Sequence, residues 1–175
     1  KVLIELSNLI AESDLDILLY IETRPEGINL KSIELLKKLK VDGVGMGIEL
    51  STQSFREENL NRFANQEAIE NAFNLLKISE IKRTAYNIIG LPDQDEQSIL
   101  ETIAFNKKLK PDNITVAFYS PYLGTGQQKT AVSKDYFYDY EFDVDSQLRT
   151  MTKHKNLSKE KLKFYKENFV NLVKA

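Results

Sequence analysis

The chain alternates between short apolar runs and longer stretches in which apolar residues recur at helical spacing. The apolar runs lie at 15–21, 44–50, 84–89 and 114–119. Runs of this length are too short for most helices and are typical of strands buried on both faces. Because each is followed by a connecting segment, the pattern predicts four β/α units around a parallel sheet.

Residues that commonly cap helices stand at the start of the helical stretches. Asn29, Asn65, Asp93 and Ser158 precede apolar stripes, and Ser54 precedes a short one. Ser54 and Asp93 are each followed three residues later by glutamate, which is the spacing of a capping box. One further helix is predicted over residues 2–12, ahead of the first strand.

This order predicts an α/β fold, specifically a partial (half) TIM-like barrel with a parallel sheet of four β/α units plus a C-terminal helix. We expect 1–125 to form the partial barrel and 126–175 an extension that ends in that helix. A half-barrel leaves one sheet edge and an apolar inner face open. We therefore expect either a homodimer through that edge or coverage by the extension. Five aromatic residues could provide the cover or line a substrate site: Tyr136, Phe137, Tyr138, Tyr140 and Phe142.

Composition narrows the classes of partner. The net charge is −2 and the isoelectric point about 5.6, so electrostatics favours neither nucleic acid nor an anionic membrane. The apolar runs are shorter than the roughly 20 residues of a membrane helix, and the first residues lack a signal-peptide pattern. These observations predict a cytoplasmic protein. Cysteine is absent, which excludes thiolate chemistry within these residues, and His154, between two lysines, is expected at a solvated surface.

Polar residues collect where the predicted strands end. Glu22, Glu49, Ser51, Asn87 and Ser120 all stand at or near such ends. Ligands of parallel α/β folds bind at the C-terminal strand ends. Since loops are polar in any case, both a binding role and an ordinary loop remain open for them.

Glycines in the second strand strengthen the binding interpretation. Gly43, Gly45 and Gly47 alternate, so all three face one side of the strand. Glycine in a strand marks close approach of a ligand or of neighbouring protein. The alternatives are therefore a roomy inner wall or tight packing against a helix. A further feature, the turn beginning at Gly90, offers backbone N–H groups that favour an anion, but such turns are common.

Several segments together resemble the radical S-adenosylmethionine (SAM) superfamily, most closely its cobalamin-binding-type and coproporphyrinogen-oxidase-like branches. The resemblance covers about 15–125. Within it, Glu22-Thr-Arg24-Pro25 resembles the third barrel strand of the family. The segments that carry the resemblance are Gly47-Ile-Glu49 with Leu60-Asn61-Arg62, Asn87-Ile-Ile-Gly90-Leu-Pro92 with Glu96, and Ser120-Pro-Tyr122-x-Gly124-Thr125. The sequence departs from the family pattern at Leu50, where a serine is usual, and at Leu123, where a proline is usual.

The resemblance implies roles for nine residues around a SAM molecule. Glu22 and Glu49 would face it, with Glu49 at the ribose hydroxyls, and Arg62 would hold the methionine carboxylate. The remaining six would complete the pocket: Ser51 in place of the missing polar contact, Asn87, Ile89 and Gly90 as a wall beneath the adenosine, and Tyr119 and Ser120 at the adenine edge.

The resemblance also implies an iron–sulfur cluster, but the family's Cys-x3-Cys-x2-Cys loop is missing from this sequence. We therefore expect a fragment, inactive alone, of an enzyme that cleaves SAM reductively to start radical chemistry on a substrate that the sequence does not identify. Cobalamin in an upstream domain is compatible with the resemblance. One alternative is a non-catalytic half-barrel scaffold. A phosphate-binding barrel enzyme would need basic strand ends, and only Arg24 fits.

Overall fold

A computed structural model describes residues 2–13, 15–137 and 154–175. Four parallel strands form one sheet in the order β1-β2-β3-β4, which confirms the predicted partial barrel. The strands are β1 Leu19–Thr23, β2 Val41–Glu49, β3 Lys82–Ile89 and β4 Asn113–Phe118.

Helices precede, connect and follow these strands. Asn29, Asn65 and Ser158 cap helices as predicted, because each side chain accepts a hydrogen bond from the backbone N–H three residues later. A 3-10 turn occupies Pro25–Gly27. The α-helices are α1 Val2–Glu12, α2 Leu30–Lys38, α3 Gln53–Leu60, α4 Gln66–Ile78, α5 Glu96–Leu109, α6 Gly126–Ser133 and α7 Lys159–Lys174.

Two predicted caps are wrong. Helix α3 already begins after Thr52, so Ser54 lies inside it. The cap of α5 is Asp95, whose side chain accepts from the Ser98 N–H at 2.8 Å. Asp93 instead has a left-handed backbone (φ 62°) within the turn that leaves β3. Polar residues two positions apart compete for the cap position, and the turn geometry decides between them.

The first strand begins later than the apolar run that predicts it. Leu15 and Leu18 are 55% and 72% exposed. Backbone pairing starts only at Leu19, whose N–H donates to the carbonyl of Lys40 at 3.0 Å. The apolar run therefore contains residues 15–18, which precede the strand, as well as the first residues of the strand.

The two faces of the sheet differ in composition. On the face covered by helices, β2 contributes Val44, Met46 and Ile48, and β3 contributes Ala85; all four are fully buried. Their core also includes Phe73 of α4. We call the opposite side, where the three glycines of β2 lie, the inner face. Burial of the helix-covered face is the main apolar contribution to the fold.

The C-terminal helix does not cover the open edge beside β1. Phe169 and Leu162 of α7 are fully buried against α5 and β4, at the other end of the sheet. Tyr136 and Phe137 pack near the C-terminal strand ends, beside Tyr119. Coverage by the described part of the extension is therefore wrong. The other three aromatic residues (Tyr138, Tyr140 and Phe142) lie outside the described residues, and the homodimer stays a prediction.

His154 is not the solvated residue that its lysine neighbours suggested. Its Nε2 donates to the carbonyl of Leu91 at 2.9 Å, and its Nδ1 accepts from the N–H groups of Asn156 and Leu157. Burial lowers the pKa of the imidazole, which favours this neutral form. The ring thus ties the segment before α7 to the turn after β3. Within 2–13, 15–137 and 154–175, no helix has the length and apolarity to cross a membrane.

Candidate functional site

The three glycines of β2 leave space that neighbouring side chains occupy. A Cβ on Gly43 would lie 2.8 Å from the Tyr20 ring, and one on Gly45 would overlap the Tyr86 ring. A Cβ on Gly47 would overlap the carboxylate of Glu49. The close approach is therefore by side chains on the inner face, from β1, β3 and the end of β2, and not by a helix.

Glu49 reaches the inner face through an irregularity at the end of β2. The pairing with β3 shifts register between Gly47 and Glu49, and Glu49 has a left-handed backbone (φ 63°). A glutamate in this conformation costs roughly 1–2 kcal/mol, so the surrounding structure must hold it there. The result is a glutamate that is only 7% exposed, with its carboxylate folded over Gly47.

Arg62 provides the charge partner of that carboxylate. Its Nε lies 3.4 Å from Glu49 Oε1, and its side chain is 37% exposed. The chain reaches it through Asn61, which ends α3 in a left-handed conformation. Burial raises the pKa of the Glu49 carboxyl above its ordinary value, and Arg62 counteracts this in part. The pair therefore presents a desolvated acceptor beside an accessible guanidinium.

A second arginine, which the sequence did not single out, holds this region together. Arg56 of α3 is 1% exposed and donates at 2.6 Å to the carbonyls of Leu50, Ser51 and Ala64. It thereby joins the segment after β2 to the segment after α3. The signal could not be found in the sequence, because its partners are backbone atoms that any residue carries.

A hydrogen-bonded chain of side chains lies on the inner face, nearer the N-terminal ends of the strands than Glu49. Tyr86 Oη donates to Glu22 Oε1 at 2.8 Å, and Tyr20 Oη lies 3.1 Å from Tyr86 Oη. Burial, followed by these two hydrogen bonds, raises the pKa of Tyr86 well above its ordinary value. Its hydroxyl therefore stays protonated as a donor.

Most of the predicted polar residues meet at two adjoining clefts. The first, about 490 Å³, is lined by Glu22, Glu49, Arg62 and the backbone near Asn87. The second, about 560 Å³, shares Glu49 and Arg62 and adds Tyr119 and Ser120. The Glu49–Arg62 pair stands between them. A ligand that spans both clefts would pass directly over this pair.

The side chains of Asn87 and Ile89 point to the other side of β3. Asn87 exchanges hydrogen bonds with Asn106 of α5, at 2.7 and 3.3 Å between side-chain oxygen and nitrogen. Ile89 is fully buried with Leu162 of α7. Strand alternation explains this, since Tyr86 and Ile88 take the inner positions. What Asn87 and Ile89 could offer a ligand is backbone.

The backbone N–H groups of Ser51 and Gly90 are engaged within the protein. The Ser51 N–H donates to Thr102 Oγ1 at 3.1 Å, whereas the buried Ser51 hydroxyl has no hydrogen-bond partner among the described residues. The Gly90 N–H donates to Gln94 Oε1 at 2.7 Å, so it is not free for an anion. Across the described parts of the chain, no three histidine, aspartate or glutamate side chains gather in a way that could hold a metal ion.

Comparison with known proteins gives one family match, over residues 2–105, to the Radical SAM superfamily. No curated protein matches the sequence. Solved structures add matches at the level of the fold. Coproporphyrinogen III oxidase (HemN) from Escherichia coli, a radical SAM enzyme, has 21% identity and a TM-score of 0.64, over 97% of this chain and 36% of its own.

Two further structures contain bound cobalamin. The radical SAM methyltransferase TsrM from Kitasatospora setae, with cobalamin and a [4Fe-4S] cluster bound, has 14% identity and a TM-score of 0.58, over 66% of this chain and 24% of its own. The cobalamin-dependent SAM radical enzyme OxsB has 11% identity and a TM-score of 0.66, over 95% and 31%. The chain thus spans between a quarter and about a third of these relatives.

Proposed function

The chain belongs to the radical SAM superfamily, and on that premise we propose that its two clefts form part of a SAM pocket. The observation that carries the proposal is the Glu49–Arg62 pair at the C-terminal end of β2. A buried carboxylate lies there within 3.4 Å of a guanidinium that remains accessible. SAM carries ribose hydroxyls and a methionine carboxylate, and these two groups match a hydrogen-bond acceptor and a cation, respectively.

The proposed roles follow from placement. Glu49 accepts from the ribose hydroxyls, and Arg62 binds the methionine carboxylate. Glu22 lines the first cleft and accepts from a further donor group of SAM. Tyr119 and Ser120 line the second cleft and meet the adenine edge. The backbone of 87–90 contributes the wall beneath the adenosine. Ser51 stays a predicted contact: its N–H supports the loop at Thr102, and its hydroxyl has no partner among the described residues.

The iron–sulfur cluster does not fit these residues. The chain contains no cysteine, so it offers no thiolate ligand. We propose that the cluster is held by other residues of a longer parent enzyme. In the family the cluster supplies the electron for reductive cleavage of SAM, and the residues described here bind and orient the cofactor. A cobalamin domain in that parent stays a prediction.

Two ligands distinguish the proposed roles in the full-length protein. Isothermal titration calorimetry is run with SAM and with 5′-methylthioadenosine, which lacks the methionine carboxylate. Arg62→Ala should weaken SAM binding by about 10- to 100-fold and leave 5′-methylthioadenosine within about twofold. Glu49→Gln should weaken both ligands by about three- to tenfold. Lys82→Ala, which removes an exposed inner-face cation paired with Asp42, is the control.

Equal losses for both ligands in Arg62→Ala would contradict the carboxylate assignment. The alternative function is a non-catalytic half-barrel scaffold, which is consistent with the lack of cysteine in this chain. Absence of SAM binding by the unaltered full-length protein would favour it.

A further inference from the structure

Three polar side chains converge on the inner face below the Glu49–Arg62 pair. Glu22 accepts a hydrogen bond from Tyr86 at 2.8 Å, and the Tyr20 hydroxyl lies 3.1 Å from the Tyr86 hydroxyl. They come from β1 and β3, which are separated by the glycine strand β2. The tyrosines therefore reach across β2 to form this chain.

The hydrogen bonds in this chain have a defined direction. A phenol has one proton to donate, and that of Tyr86 goes to the Glu22 carboxylate. Tyr20 must then donate to the Tyr86 oxygen. The raised pKa of Tyr86, caused first by burial, keeps its proton in place. The chain thus runs from Tyr20 to Tyr86 to Glu22, and Glu22 is its final acceptor.

The glycines of β2 explain how the tyrosine reaches the glutamate. Glu22 stands beside Gly45 in the β1–β2 register, and Tyr86 stands beside Gly47 in the β2–β3 register. To meet Glu22, the Tyr86 ring lies over Gly45, where a Cβ would overlap its Oη, Cζ and Cε2 atoms. A side chain on Gly45 would therefore displace the hydroxyl from Glu22.

We propose that Tyr86 is a positioning residue for Glu22. Glu22 is exposed, and an exposed glutamate samples many rotamers. The Tyr86 hydroxyl fixes one carboxylate oxygen and leaves the other to accept from a donor group of the bound cofactor. Gly45 is the part of the fold that allows this contact. The inference rests on the proposed function, because it takes Glu22 as a residue that contacts SAM.

The test is a double-mutant cycle on SAM affinity in the full-length protein, measured by calorimetry. Tyr86→Phe keeps the ring and removes the hydroxyl, and should weaken SAM binding about three- to tenfold. In a Glu22→Ala background the same change should have no further effect, because Tyr86 acts only through Glu22. Tyr165→Phe is the control: it removes a hydroxyl that donates to another glutamate, Glu96, at 2.7 Å and outside both clefts, and it should stay within about twofold.

A second pair of variants tests whether the space at Gly45 is needed for the position of the Tyr86 ring. Gly45→Ala should weaken SAM binding as Tyr86→Phe does. Gly126→Ala is the matched control, since a Cβ there meets open space. Thermal unfolding of each variant checks that it is folded, and Tyr86→Phe decides the matter if Gly45→Ala does not fold.

The possible failures are distinguishable. If the unaltered protein does not bind SAM, the proposed function fails. If Glu22→Ala weakens binding and Tyr86→Phe does not, only the positioning role is overturned. An equal loss from Tyr86→Phe in both backgrounds would also overturn it, because Tyr86 would then act independently of Glu22. A loss from Tyr165→Phe as large as that from Tyr86→Phe would overturn the assignment to the Tyr86–Glu22 bond.

Discussion

Replacing Arg56 with methionine should lower the free energy of unfolding, and by more than a substitution at an exposed arginine does. Arg56 holds the segment that carries the Glu49–Arg62 pair. Methionine keeps the length and much of the apolar stem but removes all hydrogen-bond donors. The guanidinium of Arg56 donates at 2.6 Å to the carbonyls of Leu50, Ser51 and Ala64. Since Arg56 is 1% exposed, water does not readily replace it.

The size of the effect follows from counting these acceptors. The Ser51 carbonyl also accepts from Gln66 Nε2 at 3.1 Å, so the substitution leaves two buried carbonyls, those of Leu50 and Ala64, without this donor. Each such group costs about 1–3 kcal/mol. Removing a buried charge returns part of this, because burial already lowers the pKa of Arg56. We expect a net loss of about 2–4 kcal/mol in the free energy of unfolding.

Urea denaturation followed by circular dichroism measures this loss. For a protein of this size the corresponding fall in Tm is about 5–15 °C. Arg24→Met, at an exposed arginine, is the control and should change stability by less than about 0.5 kcal/mol. Arg56→Lys keeps the charge and should recover only part of the loss, because an ammonium lacks the planar fork. A change below about 1 kcal/mol for Arg56→Met would refute the reasoning.

Two further predictions concern the C-terminal part of the structure. Phe169→Ala should cost about 3–5 kcal/mol of unfolding free energy, because this ring is fully buried, whereas Phe164→Ala at a 51% exposed ring of the same helix should cost much less; similar losses in thermal melts would contradict the packing of α7. His154→Gln should destabilise the protein at pH 7.5, and the difference from the unaltered protein should shrink as pH falls below the ordinary imidazole pKa of 6.5. The sign follows from the lowered pKa: the neutral ring contributes fully above 6.5, and its contribution is lost as pH falls through the folded-state pKa. Unfolding free energies measured from pH 5 to 8 test this, and a difference that does not vary with pH would contradict it.

The fold was largely predictable because its strands are short apolar runs between stretches with helical spacing. In β2, for example, Val44, Met46 and Ile48 are fully buried on the helix-covered face. Element boundaries were less predictable. The caps assigned to Ser54 and Asp93 were wrong because each has another polar residue within two positions that suits the backbone turn better.

Within the candidate site, Glu49 and Arg62 carry motif signals and lie 3.4 Å apart in the structure, while their role toward a ligand stays a prediction. The contribution of Arg56 was not predictable, because its partners are carbonyl oxygens that only the folded chain brings together. The glycines correctly indicated close approach, but the groups that approach are Tyr20, Tyr86 and Glu49. Long-range pairing across three strands determines this, and no local pattern records it.

Successive side chains of β2 and β3 point to opposite faces of the sheet. Neighbouring positions in one strand are therefore under different constraints, core packing on one face and polar contacts on the other. Substitutions at Val44, Met46 or Ala85 change the apolar core, so a screen for protease resistance would detect them. Substitutions at Tyr86, one position along from Ala85, alter a polar contact beside a cleft, and a screen for ligand capture would detect those instead. A deep mutational scan read by both methods should therefore give profiles that alternate in antiphase with a period of two residues. This part of the protein could then acquire new ligand preferences without first acquiring surplus stability.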